Sequence, residues 1–230
     1  PSYYGAARLI GILNALKKHG NVLVDSEVTL EINPESANLL DLILLRKAGF
    51  NRISIGVQSA NDGILKSLGR LHNFAQAEKA VQTARKAGFG NLNIDLICGL
   101  PSQTKEDWAD TLNRAAALKP EHFSCYGLEV KEGTALYPYR ESPFIPDEDT
   151  QADMYLYTVE ALERYGYKQY EISNFAMRGF ESRHNQKYWT DDEYMGFGAA
   201  AHSYIGGKRY SYISDIKAYS ESIMTGKTVV

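Results

Sequence analysis

The sequence predicts an α/β protein whose strands run parallel, and two observations carry that expectation. Amphipathic helical stretches alternate with short β-branched runs through roughly the first 130 residues. In addition, Arg46-Lys47-Ala48-Gly49-Phe50 recurs as Arg85-Lys86-Ala87-Gly88-Phe89, each time where a basic helix end breaks at glycine and feeds a strand. Cations suit the negative end of a helix dipole, which alone explains half of this pattern. A repeated strand–helix unit explains all of it. Strands separated by helices run parallel, because a helical crossover returns the chain to the same edge. Such an array is either an open doubly wound sheet or part of a (β/α) barrel.

Residues 3–19 place Leu9, Ile10, Leu13 and Leu16 at helical spacing and stop at Gly20, a residue that tolerates the left-handed conformation closing a helix. Residues 28–32 alternate and are β-branched, the mark of a strand. A helix over 36–48 ends at Gly49, and 52–57 forms the second strand. Residues 60–69 and 73–87 read as a short and a longer helix, the latter closing at Gly88 before a third strand over 92–97. Thr104 is the N-cap of a helix reaching about Leu118, with Glu106 and Asp107 in its first turn. A fourth strand begins at Phe123.

Beyond about residue 130 the composition changes. Most of the sixteen tyrosines fall between Tyr137 and Tyr212, with Trp189 among them. A helix over 147–165 closes at Gly166. Short extended pieces, a Gly/Ala-rich turn at 196–201 and a last helix near 214–225 follow. Residues 131–230 are therefore expected to form a separate layer or subdomain, rich in tyrosine, appended to the strand–helix half at 1–130.

Several function classes fall away on composition. No apolar run approaches the roughly 18 residues of a spanning helix. A net charge of −3 and a pI near 6.0 argue against a protein that grips a nucleic-acid backbone. Two cysteines, Cys98 and Cys125, are too few for a disulfide scaffold and fit a reducing cytoplasm. His19, His72, His122, His184 and His202 show no H-x-x-x-H or H-E-x-x-H spacing, so no metal site is expected in these residues.

Parallel strand–helix arrays bind ligands at the carboxyl ends of their strands, where the loops converge. That rule selects Glu31 and Asn33 after the first strand, Gln58 after the second, Asp95 within the third and Glu129 after the fourth. A single strand-end carboxylate is more often a cap or a surface charge; the shared placement makes the set convincing. Asp95, between Ile94 and Leu96-Ile97 in a strand expected to be buried on both faces, needs hydrogen-bond partners or a ligand. Arg70 either neutralises an anion at the same rim or serves only a helix end. In His184-Asn185-Gln186-Lys187-Tyr188-Trp189 an imidazole stands beside two aromatics. On chemistry alone that is a polar packing motif; an axial ligand to haem is the functional alternative.

Glu31-Ile32-Asn33-Pro34, Arg52 to Ser59, Leu68-Gly69-Arg70 and Asn93 to Pro101 resemble, in order and spacing, successive motifs of radical S-adenosylmethionine (SAM) proteins. The resemblance is to the group containing oxygen-independent coproporphyrinogen III oxidase, and it covers essentially the whole chain. Glu171 to Ala176, His184-Asn185 with Tyr188-Trp189, and Gly196 to Tyr204 are more similar to its HemW-like haem-chaperone branch than to the oxidase. The resemblance implies a partial (β/α) barrel with SAM and a [4Fe–4S] cluster, followed by a small C-terminal region. It places Glu31, Gln58, Arg70 and Asp95 at SAM-contacting positions, with Glu129 and His202 near SAM as well. By type, Arg70 suits the methionine carboxylate, and the acids and Gln58 suit the ammonium and ribose hydroxyls. His184 matches the histidine of the haem-binding motif, and a haem-acceptor protein is the implied partner.

One departure stands out. The family's cluster motif, C-x₃-C-x₂-C, does not occur in these residues, and Pro1-Ser2 resembles the end of the segment following the family's second strand. The expectation is a fragment that cannot ligate the cluster and is inactive by itself. The rival reading is the oxidase, which decarboxylates the propionates of a porphyrinogen. A lyase or aldolase barrel is disfavoured because no lysine ends any of the four strands.

Overall fold

The computed structural model describes residues 2–230; Pro1 lies outside the described residues. The chain folds as two compact units, the first reaching Glu181 and the second running from Ser182 to Val230.

In the first unit, α1 (Ala6–His19), β1 (Thr29–Ile32), α2 (Leu39–Ala48), β2 (Arg52–Gln58), α3 (Asp62–Ser67), α4 (Phe74–Lys86) and β3 (Leu92–Cys98) follow one another. They lead to α5 (Lys105–Ala117), β4 (His122–Gly127), α6 (Glu148–Arg164), β5 (Lys168–Gln169) and β6 (Asn174–Ala176). The strands form one sheet in the order β1-β2-β3-β4-β6-β5. β1 to β4 are parallel, as the helical crossovers require, and β6 returns antiparallel to β4. This is the α/β, partial-barrel architecture expected, open at β1.

One face of the sheet is apolar. Leu30, Ile32, Ile53, Ile55, Val57, Leu92, Ile94, Leu96, Phe123 and Phe175 share a core with helix residues such as Leu13, Leu42, Phe74, Leu112 and Met154. Period-two alternation sends the intervening residues to the other face. Those are Glu31, Ser54, Asn93, Asp95, His122, Ser124 and Asn174, in matching register across the strands, while Gln58 follows a register shift and pairs with Leu96. Asp95 therefore lies on the polar face of a strand largely buried on both sides, with hydrogen-bond partners as its burial requires. Trp108 pins α5 to α6: it is fully buried, and its indole N–H donates to Thr158 Oγ1 at 2.9 Å.

The repeated Arg-Lys-Ala-Gly-Phe segments close one end of the sheet in the same way. Lys17 Nζ donates to Ala48 O (2.7 Å), Arg46 Nε to Gly88 O (3.0 Å) and Arg85 Nη2 to Lys119 O (2.8 Å). Each basic helix end thus satisfies a carbonyl left open at the end of a later helix. Gly49 and Gly88 take positive φ there, whereas Gly20 is extended at φ −123, so α1 ends without the left-handed turn expected of it. At the third equivalent corner Lys119 occupies the left-handed region at φ 52. Lys119→Gly should raise stability by about 0.5–1 kcal/mol, read as a higher urea midpoint at constant m. An unmoved midpoint would show that the lysine fits this corner without strain.

The composition change near residue 131 and the unit boundary do not coincide. Segment 167–176 supplies the two strands that extend the sheet past β4, and Tyr167 is buried with its hydroxyl donating to Pro120 O at 2.6 Å. The second unit comprises α7 (Arg183–Lys187), a hairpin of β7 (His202–Ile205) and β8 (Lys208–Ser211), and α8 (Ile216–Thr225).

Candidate functional site

The carboxyl ends of β1 and β2 and the middle of β3 meet at a cavity of about 160 Å³ lined by Ser2, Glu31, Ile32, Asn33, Gly56, Gln58 and Asp95. Four of the residues selected from sequence, Glu31, Asn33, Gln58 and Asp95, therefore share one wall. Arg70 is half-buried in the turn after α3, its N–H on Leu65 O at 3.0 Å, and Glu129 is exposed beyond β4, paired with Lys131 at 3.1 Å. Neither lines this cavity.

Backbone geometry shapes the wall. Register shifts between Gly56 and Gln58, and Gln58 adopts φ 69, which an L side chain takes only at a cost. A Cβ on Gly56 would come within 2.9 Å of Gln58 Nε2, so glycine there is what lets the glutamine amide lie across the strand. Buried His72 braces the same strand end: its Nε2 donates to Val57 O at 3.2 Å, and Nδ1 lies 3.4 Å from Glu35.

Asp95 is the chemical centre of the cavity. Ser54 Oγ donates to its Oδ2 at 2.6 Å and Asn93 Nδ2 to its Oδ1 at 2.7 Å. Burial pushes its carboxyl above the ordinary 3.8; the Ser54 and Asn93 hydrogen bonds oppose that push, and the nearby Glu31 charge adds to it. Two carboxylates, Asp95 largely buried and Glu31 exposed, and two amides form a site for a ligand rich in donors and carrying positive charge. An ammonium or a pair of ribose hydroxyls has that chemistry, so the donor set fits SAM.

Cluster chemistry finds no such fit. Cys98 and Cys125 are free and buried, with burial raising the Cys98 thiol to about 11 and the Cys125 thiol well above its usual range. Among the described residues no group of three potential metal ligands exists. A cluster needs ligands other than these.

The second unit holds His184 and His202. His184 is exposed on α7, its Nε2 2.7 Å from the Tyr188 hydroxyl and its ring edge-on to Tyr188 at 5.1 Å. Tyr188 in turn packs on Tyr194 at 4.7 Å, and exposed Trp189, Met195 and Phe197 lie in the same stretch. His202 is exposed at the start of β7, and its carbonyl closes on Gly196. His184 thus packs on Tyr188 through a hydrogen bond and an edge-on ring contact, beside exposed aromatic side chains. What sequence reasoning missed is His122 and Tyr170. His122 sits at the start of a strand with no motif around it, and only the pairing of β4 with β6 brings Tyr170 to it.

This parallel sheet with a polar face and a strand-end cavity is the architecture of radical SAM proteins, and residues 3–115 match the family model "Radical SAM superfamily". The chain aligns over its full length with coproporphyrinogen III oxidase (HemN) from Escherichia coli, described as a radical SAM enzyme, at TM-score 0.87 and 27% identity. It covers 56% of that chain. It is 38% identical to the haem chaperone HemW of Bacillus subtilis over 94% of its own length and 57% of the relative's. To HemW of Lactococcus lactis it is 37% identical over 100% and 61% respectively. Residues 3–115 are a radical SAM domain. Within that class the chain is homologous to the HemW haem chaperones and to HemN, and it spans under two thirds of the length of these relatives.

Proposed function

We propose that these residues form the SAM-binding and haem-handling part of a haem chaperone that passes haem to an acceptor protein. The observation that carries the SAM half is the convergence of Glu31, Gln58 and Asp95 on one cavity. Bound there, SAM supplies a sulfonium nucleoside. Asp95 and Glu31 accept from its ammonium or ribose hydroxyls, and Gln58, held at φ 69, offers a carbonyl and an amide at fixed orientation. Arg70 and Glu129 lie outside the wall of this cavity; in this reading Arg70 pairs with the methionine carboxylate and Glu129 adds a further SAM contact beyond it. A [4Fe–4S] cluster belongs to the reading only with ligands outside these residues. No helix is long and apolar enough to cross a membrane among the described residues, and two free, buried thiols suit a reducing cytoplasm.

Haem is the cargo. His184 is its ligand in this reading, supported by the homology to HemW and by the aromatic surface beside the imidazole. Coordination through Nε2 requires that nitrogen to leave the Tyr188 hydroxyl, so the tyrosine stands as the resting partner of the haem ligand. Haem titration of the full-length protein and of His184→Ala tests this half. The expected result is a Soret shift in the wild type and at least about tenfold weaker binding in the variant, as loss of an axial ligand requires. Equal titration curves would remove His184 from the reading. Turnover of coproporphyrinogen III by the cluster-loaded protein would replace the chaperone with the oxidase.

A further inference from the structure

Behind the cavity lies a chain of buried polar side chains on the polar face of the sheet. His122 Nδ1 meets Asn93 Oδ1 at 2.5 Å, and Ser124 Oγ donates to the same oxygen at 3.2 Å. Asn93 Nδ2 donates to Ser54 Oγ and to Asp95 Oδ1, both at 2.7 Å, and Ser54 Oγ donates to Asp95 Oδ2. His122 Nε2 lies 2.7 Å from the Tyr170 hydroxyl.

The direction of every bond follows from chemistry. Asn93 spends both amide hydrogens on Ser54 and Asp95, so its oxygen only accepts and His122 Nδ1 must carry a proton. Burial, with Arg52 nearby, lowers the His122 pKa to about 3, so the ring is neutral and Nε2 bears a lone pair. Tyr170 then donates to it. Donors therefore point one way, from Tyr170 through His122 and Asn93 to Asp95. Asp95 Oδ1 accepts from Asn93 and Oδ2 from Ser54, with Ser124 also bearing on the carboxyl group.

We infer that Tyr170, His122 and Asn93 are positioning residues for Asp95, holding its two carboxyl oxygens as acceptors of internal hydrogen bonds so that the group selects cationic or hydroxyl-bearing parts of the ligand. The lock works through the histidine tautomer. With the Tyr170 hydroxyl gone, the ring can carry its proton on Nε2 and turn a lone pair toward Asn93. The amide then gains by rotating, which sets its oxygen against Asp95. An asparagine in the middle rules out a proton wire, because the amide cannot pass a proton on without becoming an imidic acid. The chain orients and does not conduct. Other ionisable groups bearing on it are Glu31 from β1, Tyr126 and Cys125 from β4, Glu171 beside Tyr126, and Arg52 from β2 beside His122.

The inference rests on the SAM reading, and the test separates the two. SAM affinity is measured against pH on the full-length, cluster-loaded protein for wild type, Tyr170→Phe, His122→Leu, His122→Gln and Asp95→Asn. Tyr170→Phe should weaken SAM about three- to tenfold, the worth of one buried hydrogen bond, and move the low-pH inflection of binding upward. His122→Leu should do the same more strongly, and His122→Gln, whose amide still donates to Asn93, should restore most of the affinity. In an Asp95→Asn background Tyr170→Phe should have no further effect. Loss of thermal stability with affinity and inflection unchanged would overturn the positioning role and leave the SAM site standing. Unchanged affinity in Asp95→Asn would instead remove the SAM reading itself.

Discussion

Replacing Asp95 by alanine in the full-length, cluster-loaded protein should weaken SAM about 100-fold. The carboxylate is the acceptor for Ser54 and Asn93 and the negative partner offered to a cationic ligand. A hydrogen bond to a charged group contributes about 1.5–3 kcal/mol, or roughly 10- to 150-fold in affinity, and the variant also strands two buried donors. The pH dependence has a definite sign. Burial holds the folded-state pKa above 3.8, so a cationic ligand, which prefers the ionised form, must draw off a proton at low pH. Affinity in the wild type should therefore rise as pH climbs through that raised value, with proton release on binding. The alanine variant should lose both the rise and the release. Calorimetric titrations in buffers of different ionisation enthalpy read both at once; a wild-type affinity in Asp95→Ala would end the assignment of this cavity. For the fold itself, a raised carboxyl pKa has the opposite consequence. Its contribution to stability is full below about 3.8 and is lost as pH rises through the folded value.

Gly196→Ala should unfold the second unit while leaving the first intact. A Cβ at this position would collide with the His202 carbonyl oxygen and sit 2.9 Å from Ala201 Cβ. The main obstacle is backbone, so no side-chain rotation relieves it. Moving it would break the bonds that join Tyr194 to Tyr204 and Gly196 N to Ser203 Oγ. Overpacking of this kind costs about 3 kcal/mol, a large share of what a unit confined to residues 182–230, with few buried side chains, can supply. Limited proteolysis should then cut within 182–230 and spare the sheet, and haem binding should fall with it. Exposed Trp189 and buried Trp108 report the two units separately by fluorescence. Protection equal to wild type would mean that the turn relaxes freely.

The helix–strand order of the first half was legible because each element has its own local signal. Thr104 caps α5 and Asn73 caps α4 through reciprocal boxes, and apolar spacing marks the buried helix faces. Glu31, Gln58 and Asp95 were legible as a group because parallel topology sends successive strand ends to one place. The partnership of β6 with β4 was not legible. Residues 174–176 are too short to show a period, and their pairing depends on β4, which lies far earlier in the chain at residues 122–124. The same holds for Tyr170 and His122, which no spacing connects.

Taken alone, the sequence determined which segments are helix or strand, that four strands run parallel, and which polar residues lie near the strand ends. Those outcomes depend on dihedral preference, capping and periodicity, all read within a few residues. Tertiary structure alone decided that Arg70 and Glu129 do not line the wall that Glu31, Gln58 and Asp95 share. It alone showed that one sheet face is polar and linked by hydrogen bonds from Tyr170 to Asp95. The physical reason is register: which side chains meet across strands is set by pairing and burial between distant residues, and a one-residue slip would turn every one of them to the other face.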